Sequence, residues 1–225
     1  MKKFLSGLLV FSFSASVLIS PAAYANPSFN QVESGSIQID EIGPVYNIYS
    51  SDRAIGDFNS FSNVAGETIN SIQASSDHTA LFRVTGGDPS TIFGSLNANS
   101  RIFLVNPNGI LFGPGSSVNA PGLVASALNI SKSDFLAGNY AFSAASSAGG
   151  LVTNQGVLSG DYYIVLLGRA VRNEGTITSD GTAALAAGDS ARLLIDPDGL
   201  VSIDVTAASS SDVYNADGSR VTDAI

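Results

Sequence analysis

An all-β fold, a parallel β-solenoid closed by an N-terminal lid, is what this sequence predicts, on three observations. A phrase made of short β runs returns about every 20 residues in the second half of the chain. Gly, Asn and Asp punctuate apolar runs throughout, while helical periodicity is hard to find beyond residue 25. Before residue 100 the alternation of apolar and polar residues continues, but without that period.

The first 25 of the 225 residues read as an export signal. Lys2 and Lys3 form a positive start, Phe4 to Ile19 an apolar run, and Ala23-Tyr24-Ala25 a small-x-small cleavage site. The alternative, a retained anchor, is disfavoured because the run is short and diluted with serine. Beyond residue 25 the chain keeps all 19 acidic residues and eight of the ten basic ones, a net charge of −11, with Lys132 as its only lysine. Such a surface repels nucleic acid and anionic lipid, so neither is expected as a partner. Cysteine is absent, so an exported form must be held by its core rather than by disulfides.

The repeat is clearest between Asn154-Gln-Gly-Val-Leu-Ser and Asn173-Glu-Gly-Thr-Ile-Thr, where 173 − 154 = 19. Gly168 matches Gly188 and Arg172 matches Arg192, each at a spacing of 20. Val118 and Leu158 stand 40 apart, which reads as two periods with an atypical unit around Tyr140-Ala-Phe142 between them. One coil of a solenoid cannot bury its inward side chains alone, so coils stack and equivalent residues lie about 4.8 Å apart. Leu158 or Val157, Val165, Leu167, Ile177 and Leu185 are the expected inward residues, with Asn154 over Asn173 as an amide ladder. An antiparallel sandwich also has many short strands, but it requires no constant period. The non-periodic stretch from Phe29 to about Gln73 is the expected lid, needed to cover open strand edges.

Between these regions lies Arg101-Ile-Phe-Leu-Val-Asn-Pro-Asn-Gly-Ile-Leu-Phe-Gly-Pro-Gly115. Asn108-Gly109 between apolar runs is a turn signal, and Pro107 fixes φ just before it. Arg83-Val-Thr-Gly86-Gly87 precedes this turn, and Gly113-Pro-Gly115 follows it. Together these residues resemble the filamentous-haemagglutinin N-terminal domain, the secretion module of two-partner-secretion exoproteins. The resemblance runs from about Asn30 to Ser131 and continues more loosely to Leu193.

The resemblance implies a right-handed parallel β-helix with an N-terminal β cap, exported by the general secretory pathway through the periplasm of a Gram-negative-type bacterium and then secreted or held at the cell surface. It implies a partner, an outer-membrane β-barrel transporter whose periplasmic domains recognise the exoprotein. Carried onto this chain, the secretion motif is Asn106, Pro107, Asn108, Gly109 and Ile110, supported by Arg83, Gly86, Gly87, Gly113 and Gly115. Two departures are visible: no upstream Asn-Pro-Asn-Leu motif, and Phe58 where a tryptophan is common. The expected division is a signal over 1–25, lid and first coils over 26–145, and further coils with a polar tail over 146–225, ending as a truncated member would.

Two further readings of the turn coexist: a corner between coils, and a surface that the transporter touches. Two rival functions compete with the secretion reading. An adhesive surface for host or cell-surface glycans or proteins would use Arg172 stacked near Arg192 as a basic stripe. A polysaccharide lyase or glycosidase would need paired carboxylates in a cleft, yet Asp88, Asp180 and Asp217 sit in turn contexts. His78 is the only histidine, which excludes a multi-histidine metal site. The stretch at Asp196, Asp198 and Gly199 resembles a calcium loop but fails the ligand register. No catalytic residue, metal site or cofactor is assigned, and the chain is not expected to be an enzyme.

Overall fold

In the computed structural model, residues 27–145, 150–196, 200–210, 212–214, 219–222 and 225 are described. The predicted signal, Asp198, Gly199 and Asp217 lie outside them. Among the described residues no helix is long and apolar enough to cross a membrane.

Two strands form the lid: β1 (Ser28–Ser34) and β2 (Ile37–Ile42). Six coils follow. The first holds β3 (Val45–Ser50) and β4 (Ala54–Ser60), the second β5 (Thr68–Ile72) and β6 (Thr79–Val84). The third has β7 (Ser90–Ile92), β8 (Ser95–Ala98) and β9 (Arg101–Val105), and the fourth β10 (Ile110–Phe112) and the long β11 (Ser117–Ser126). An excursion then carries β12 (Asn129–Ile130), α1 (Lys132–Ala137) and β13 (Tyr140–Ser143). The fifth coil contains β14 (Leu151–Asn154) and the long β15 (Val157–Gly168), and the sixth β16 (Ala170–Asn173), β17 (Thr176–Ser179) and β18 (Thr182–Ala187). The hairpin strands β19 (Ser190–Ile195) and β20 (Val201–Ala207) close the order.

Stacking makes three parallel faces. The wide face is β4, β6, β9, the second half of β11, the second half of β15, and β18. The middle face is β3, β5, β8, the first halves of β11 and β15, and β17. The narrow face is β7, β10, β14 and β16. β11 and β15 each bend around the corner between two faces, and the bend in β11 falls at the register shift between Ala120 and Gly122. On the middle face, Asn47, Asn70 and Asn97 form an outward amide ladder with bonds of 2.9 and 3.3 Å.

Columns of like residues fill the tube. Phe82, Leu104, Ala125 and Leu166 point inward and are all fully buried. The middle face adds Ile69, Leu96, Val118, Leu158 and, on the last coil, Ile177. Each fully buried Phe, Leu, Ile or Val among them contributes roughly 1.5–3 kcal/mol. The Leu158–Ile177 pairing and the Asn154-over-Asn173 ladder match the sequence expectation, with Asn154 Nδ2 donating to Asn173 Oδ1 at 2.8 Å. Phe58 is inward and fully buried, edge-on to Phe29, Phe61 and Phe82, so the position where a tryptophan is common belongs here to the core under the lid.

Three expectations need correction. Val165 and Leu167 do not face the tube: with Ile55, Leu81, Phe103 and Val124 they belong to an outer cluster on the wide face. That cluster is roofed by α1 and an antiparallel layer ordered β12-β13-β19-β20. The run Tyr163 to Leu167 is buried on both faces, so alternation could not say which side was inside. Next, the lid is smaller than Phe29–Gln73: β1 pairs antiparallel with β4 and β2 with β3, whereas parallel pairing already begins at Val45. The first coils carry no 20-residue period because their spacings are longer, Ala54 to Ala80 and Ala80 to Ile102. Finally, the 40 residues from Val118 to Leu158 are one coil, not two, since these residues pair directly. The unit around Tyr140-Ala-Phe142 belongs to the excursion and pairs antiparallel with β12 and β19.

The short helix α1 was also unexpected. Ser131 caps it by accepting the Asp134 backbone N–H, and Gly138 ends it in the left-handed conformation at φ 70°. Hydrogen bonds from Ser131 and Asn139 hold the Asp134 carboxyl below its ordinary proton affinity.

Candidate functional site

The narrow face is only three or four residues across, so its two corners lie close together, and the predicted motif gathers there. β9 ends at Val105 and the chain turns through Asn106–Gly109 into β10, with the Gly109 N–H closing onto the Asn106 carbonyl at 2.9 Å. Gly109 has φ +118°, a conformation open to glycine and hostile to other residues. Ile110 is inward and buried between Ser90 and Val152 of the flanking coils.

Asn106 is wholly buried, and its amide is fully engaged. Its Nδ2 donates to the Asp88 carbonyl and to Ser90 Oγ, both at 3.0 Å. Its Oδ1 accepts from the Asn108 backbone N–H at 3.0 Å, and its own backbone N–H reaches the Ser126 carbonyl of the next coil at 2.9 Å. One buried side chain therefore sets the register of the preceding corner and its own turn together. Asn108 is exposed at the tip, with Nδ2 donating to the Gly86 carbonyl at 2.8 Å, and Pro107 beside it is half-buried.

The supporting residues divide. A Cβ on Gly86 would stand 2.0 Å from the Asn59 carbonyl oxygen, and one on Gly113 would stand 2.3 Å from the Phe93 ring, so both mark close approaches between coils. Gly87 and Gly115 have open space around them, Gly115 at φ +81°. Arg83 is not at this site; it lies on the outer side of the wide face, paired with Asp57. Sequence reasoning missed Ser90 and the Asp88 carbonyl as partners of Asn106, and missed Asn63. Asn63 is almost wholly buried at the narrow-to-middle corner and accepts the Phe93 and Gly94 N–H groups at 3.1 and 2.9 Å. Asn63, Asn106 and Asn154 all mark the ends of narrow-face segments, a signal readable only once that face is known.

The expected basic stripe does not form. Arg172 is on β16 of the narrow face beside Glu174, whereas Arg192 is on β19 opposite Ala141 and Asp204 in the outer layer. The chain leaves the tube after Gly188, whose N–H still bonds to the Gly168 carbonyl at 2.9 Å, so the spacing of 20 fails just beyond it. His78 sits in the loop between β5 and β6, its backbone N–H held by the Ser75 carbonyl. Asp196 Oδ1 accepts the Leu200 N–H in the turn joining β19 to β20. Among the described residues no three His, Asp or Glu side chains converge as a metal site would need. What the narrow face offers chemically is a rigid row of backbone and amide groups.

The family profile of the TPS secretion domain matches residues 23–220. The chain belongs to that family. TPS here is two-partner secretion, and the family is a non-enzymatic secretion and adhesin domain. The heme/hemopexin-binding protein of Haemophilus influenzae (strain ATCC 51907 / DSM 11121 / KW20 / Rd) is 33% identical over 141 residues, covering 59% of this chain and 16% of that protein. A second Haemophilus influenzae heme/hemopexin-binding protein is 29% identical over 141 residues, covering 60% of this chain and 15% of its own. The chain thus spans about one-sixth of the length of these curated relatives. Among solved structures, the HMW1 secretion domain from Haemophilus influenzae superposes with a TM-score of 0.76 at 27% identity, covering 85% of this chain and 52% of that one. The filamentous hemagglutinin secretion domain shares the fold at a TM-score of 0.56 and 18% identity, covering 85% and 72%. TPS domains pair with an outer-membrane transporter of the TpsB type, and exoproteins carrying them are secreted through the outer membrane of Gram-negative bacteria.

Proposed function

We propose that the transporter's periplasmic domains read this TPS domain at its narrow face, with the Asn106–Ile110 turn as the presented element. One observation carries the reading: a single turn combines a fully buried amide that fixes its shape with an exposed amide at its tip. Rigid presentation lowers the ordering entropy that a partner must overcome on binding. Asn106 and Gly109 are then architectural, and Pro107 and Asn108 make contact. The general secretory pathway delivers the chain to the periplasm, using residues 1–25 as the signal.

Two substitutions separate the roles. Asn108→Leu is expected to weaken binding to the purified periplasmic domains of the cognate transporter and to reduce secretion, with thermal stability within about 1 kcal/mol of wild type, because only two partly exposed side-chain hydrogen bonds, to the Gly86 carbonyl and to Asn106 Oδ1, are lost. Asn106→Leu is expected to lower stability by about 1–3 kcal/mol, since it strands the buried Ser90 hydroxyl and a backbone carbonyl. Secretion of Asn108→Leu at wild-type yield, with unaltered binding, refutes the contact. An adhesive role toward glycans has lost its structural support with the separation of Arg172 from Arg192.

A further inference from the structure

In a simple stack of repeats each coil touches only its neighbours, and stability is close to a sum of local terms. The outer cluster of the wide face departs from that rule. Its column Ile55, Leu81, Phe103, Val124 and Val165 spans the first five coils, and it is roofed by Phe135, Phe142, Ala191 and Leu193. The roof comes from two distant pieces of chain, the excursion between β11 and β14 and the hairpin β19–β20.

Both ends of this roof are fastened. At the lid end, Arg53 Nη1 donates to the Leu136 carbonyl at 2.7 Å, in the last turn of α1 where a cation is favoured. Arg53 is the one described non-glycine residue with positive φ, at 53°, and its N–H bonds to the Thr79 carbonyl at 2.8 Å. A left-handed conformation at an arginine persists only when its surroundings impose it. Lys132, at the start of α1, donates to the Glu33 carbonyl on β1. At the other end the Val201 N–H reaches Thr182 Oγ1 on β18 at 3.3 Å, and Arg169 pairs with Asp189 at 2.7 Å.

We propose that this layer is a latch that joins the lid and all six coils into one cooperative unit, which closes only after β19 and β20 have docked. Coil-by-coil stability is then replaced by a single late event. If the export reading holds, the latch closes only when Ala54 and Ala207 are on the same side of the membrane, whichever end of the chain crosses first. That last consequence rests on the export reading, whereas the latch itself is a property of the isolated protein.

Native-state hydrogen exchange on the purified full chain tests it without any transporter, so failure of the latch and failure of the export reading are distinguishable. Leu193→Ala, a change in β19, is expected to speed exchange at least tenfold in β4 and β6 as well as in β18, although β19 pairs with none of them. Acceleration confined to β13, β19 and β20, with β4 and β6 at wild-type protection, overturns the proposal. Arg53→Gly keeps the test decisive if Leu193→Ala does not fold, because glycine accepts positive φ while the link to Leu136 is lost. Several-fold faster exchange in α1 and β1 is expected for Arg53→Gly, and unchanged exchange there overturns the lid-end fastening.

Discussion

Arg83 holds Asp57 across two coils: its Nε and Nη2 both reach Asp57 Oδ1, at 2.8 and 2.7 Å, and the Asp57 residue is 4% exposed. Gln31 on the lid strand β1 approaches the other carboxylate oxygen at 3.4 Å. A buried carboxylate with its cation removed is far worse than a buried pair or an apolar replacement. Arg83→Met alone is therefore expected to lower stability by about 3–5 kcal/mol, and Arg83→Met with Asp57→Leu to recover most of that loss. Urea denaturation of the two variants checks it; equal losses would mean that the pair itself, and not the stranded charge, matters.

Neighbouring glycines give a sharper contrast. Gly86→Ala drives a Cβ to 2.0 Å from a backbone oxygen, whereas Gly87→Ala enters open space. Expected losses are about 1–3 kcal/mol for the first and no more than about 0.5 kcal/mol for the second. Thermal melts of both, beside wild type, measure the difference.

Acid should loosen the far end of the latch. Hydrogen bonds from Ser210, then Arg169, hold the Asp189 carboxyl below its ordinary 3.8. A carboxylate depressed in the folded state binds fewer protons there than in the unfolded chain. Its contribution is therefore complete above 3.8 and lost as pH falls through the lower folded value. The stability gap between wild type and Asp189→Asn is expected to be constant near neutrality and to shrink below pH 3.8. Melting temperatures taken from pH 2 to pH 7 (about five half-unit steps on the acid limb suffice) follow that gap.

The architecture was legible where spacing was regular. Asn154 over Asn173 and Leu158 over Ile177 could be placed because the last coils are compact and turn with the same Asn-x-Gly phrase. The first coils were hidden by longer corner loops, and the roof by its origin in separate segments whose pairing is antiparallel. Val165 and Leu167 show the physical limit: a strand buried on both sides carries no sign of which side is inside. The Ser131 cap, with Asp134 and Gly138 behind it, was a readable helix signature that β alternation overshadowed. The motif turn was found by residue type, but Ser90 and Asp88 as partners of Asn106 could not be, because contact across a corner leaves no fixed offset in sequence.

The outer elements β12, α1 and β13 lie in sequence between β11 and β14, yet Val124 still sits over Val165 and Val118 over Leu158. Length and alignment are thus independent quantities at this corner, as in a bound book that takes an extra leaf without shifting the spine. Foreign peptide grafted at an unroofed bend, such as the glycine turn at Gly66 where nothing lies within 4 Å of an added carbon, would be displayed outward while the pages beneath keep their order.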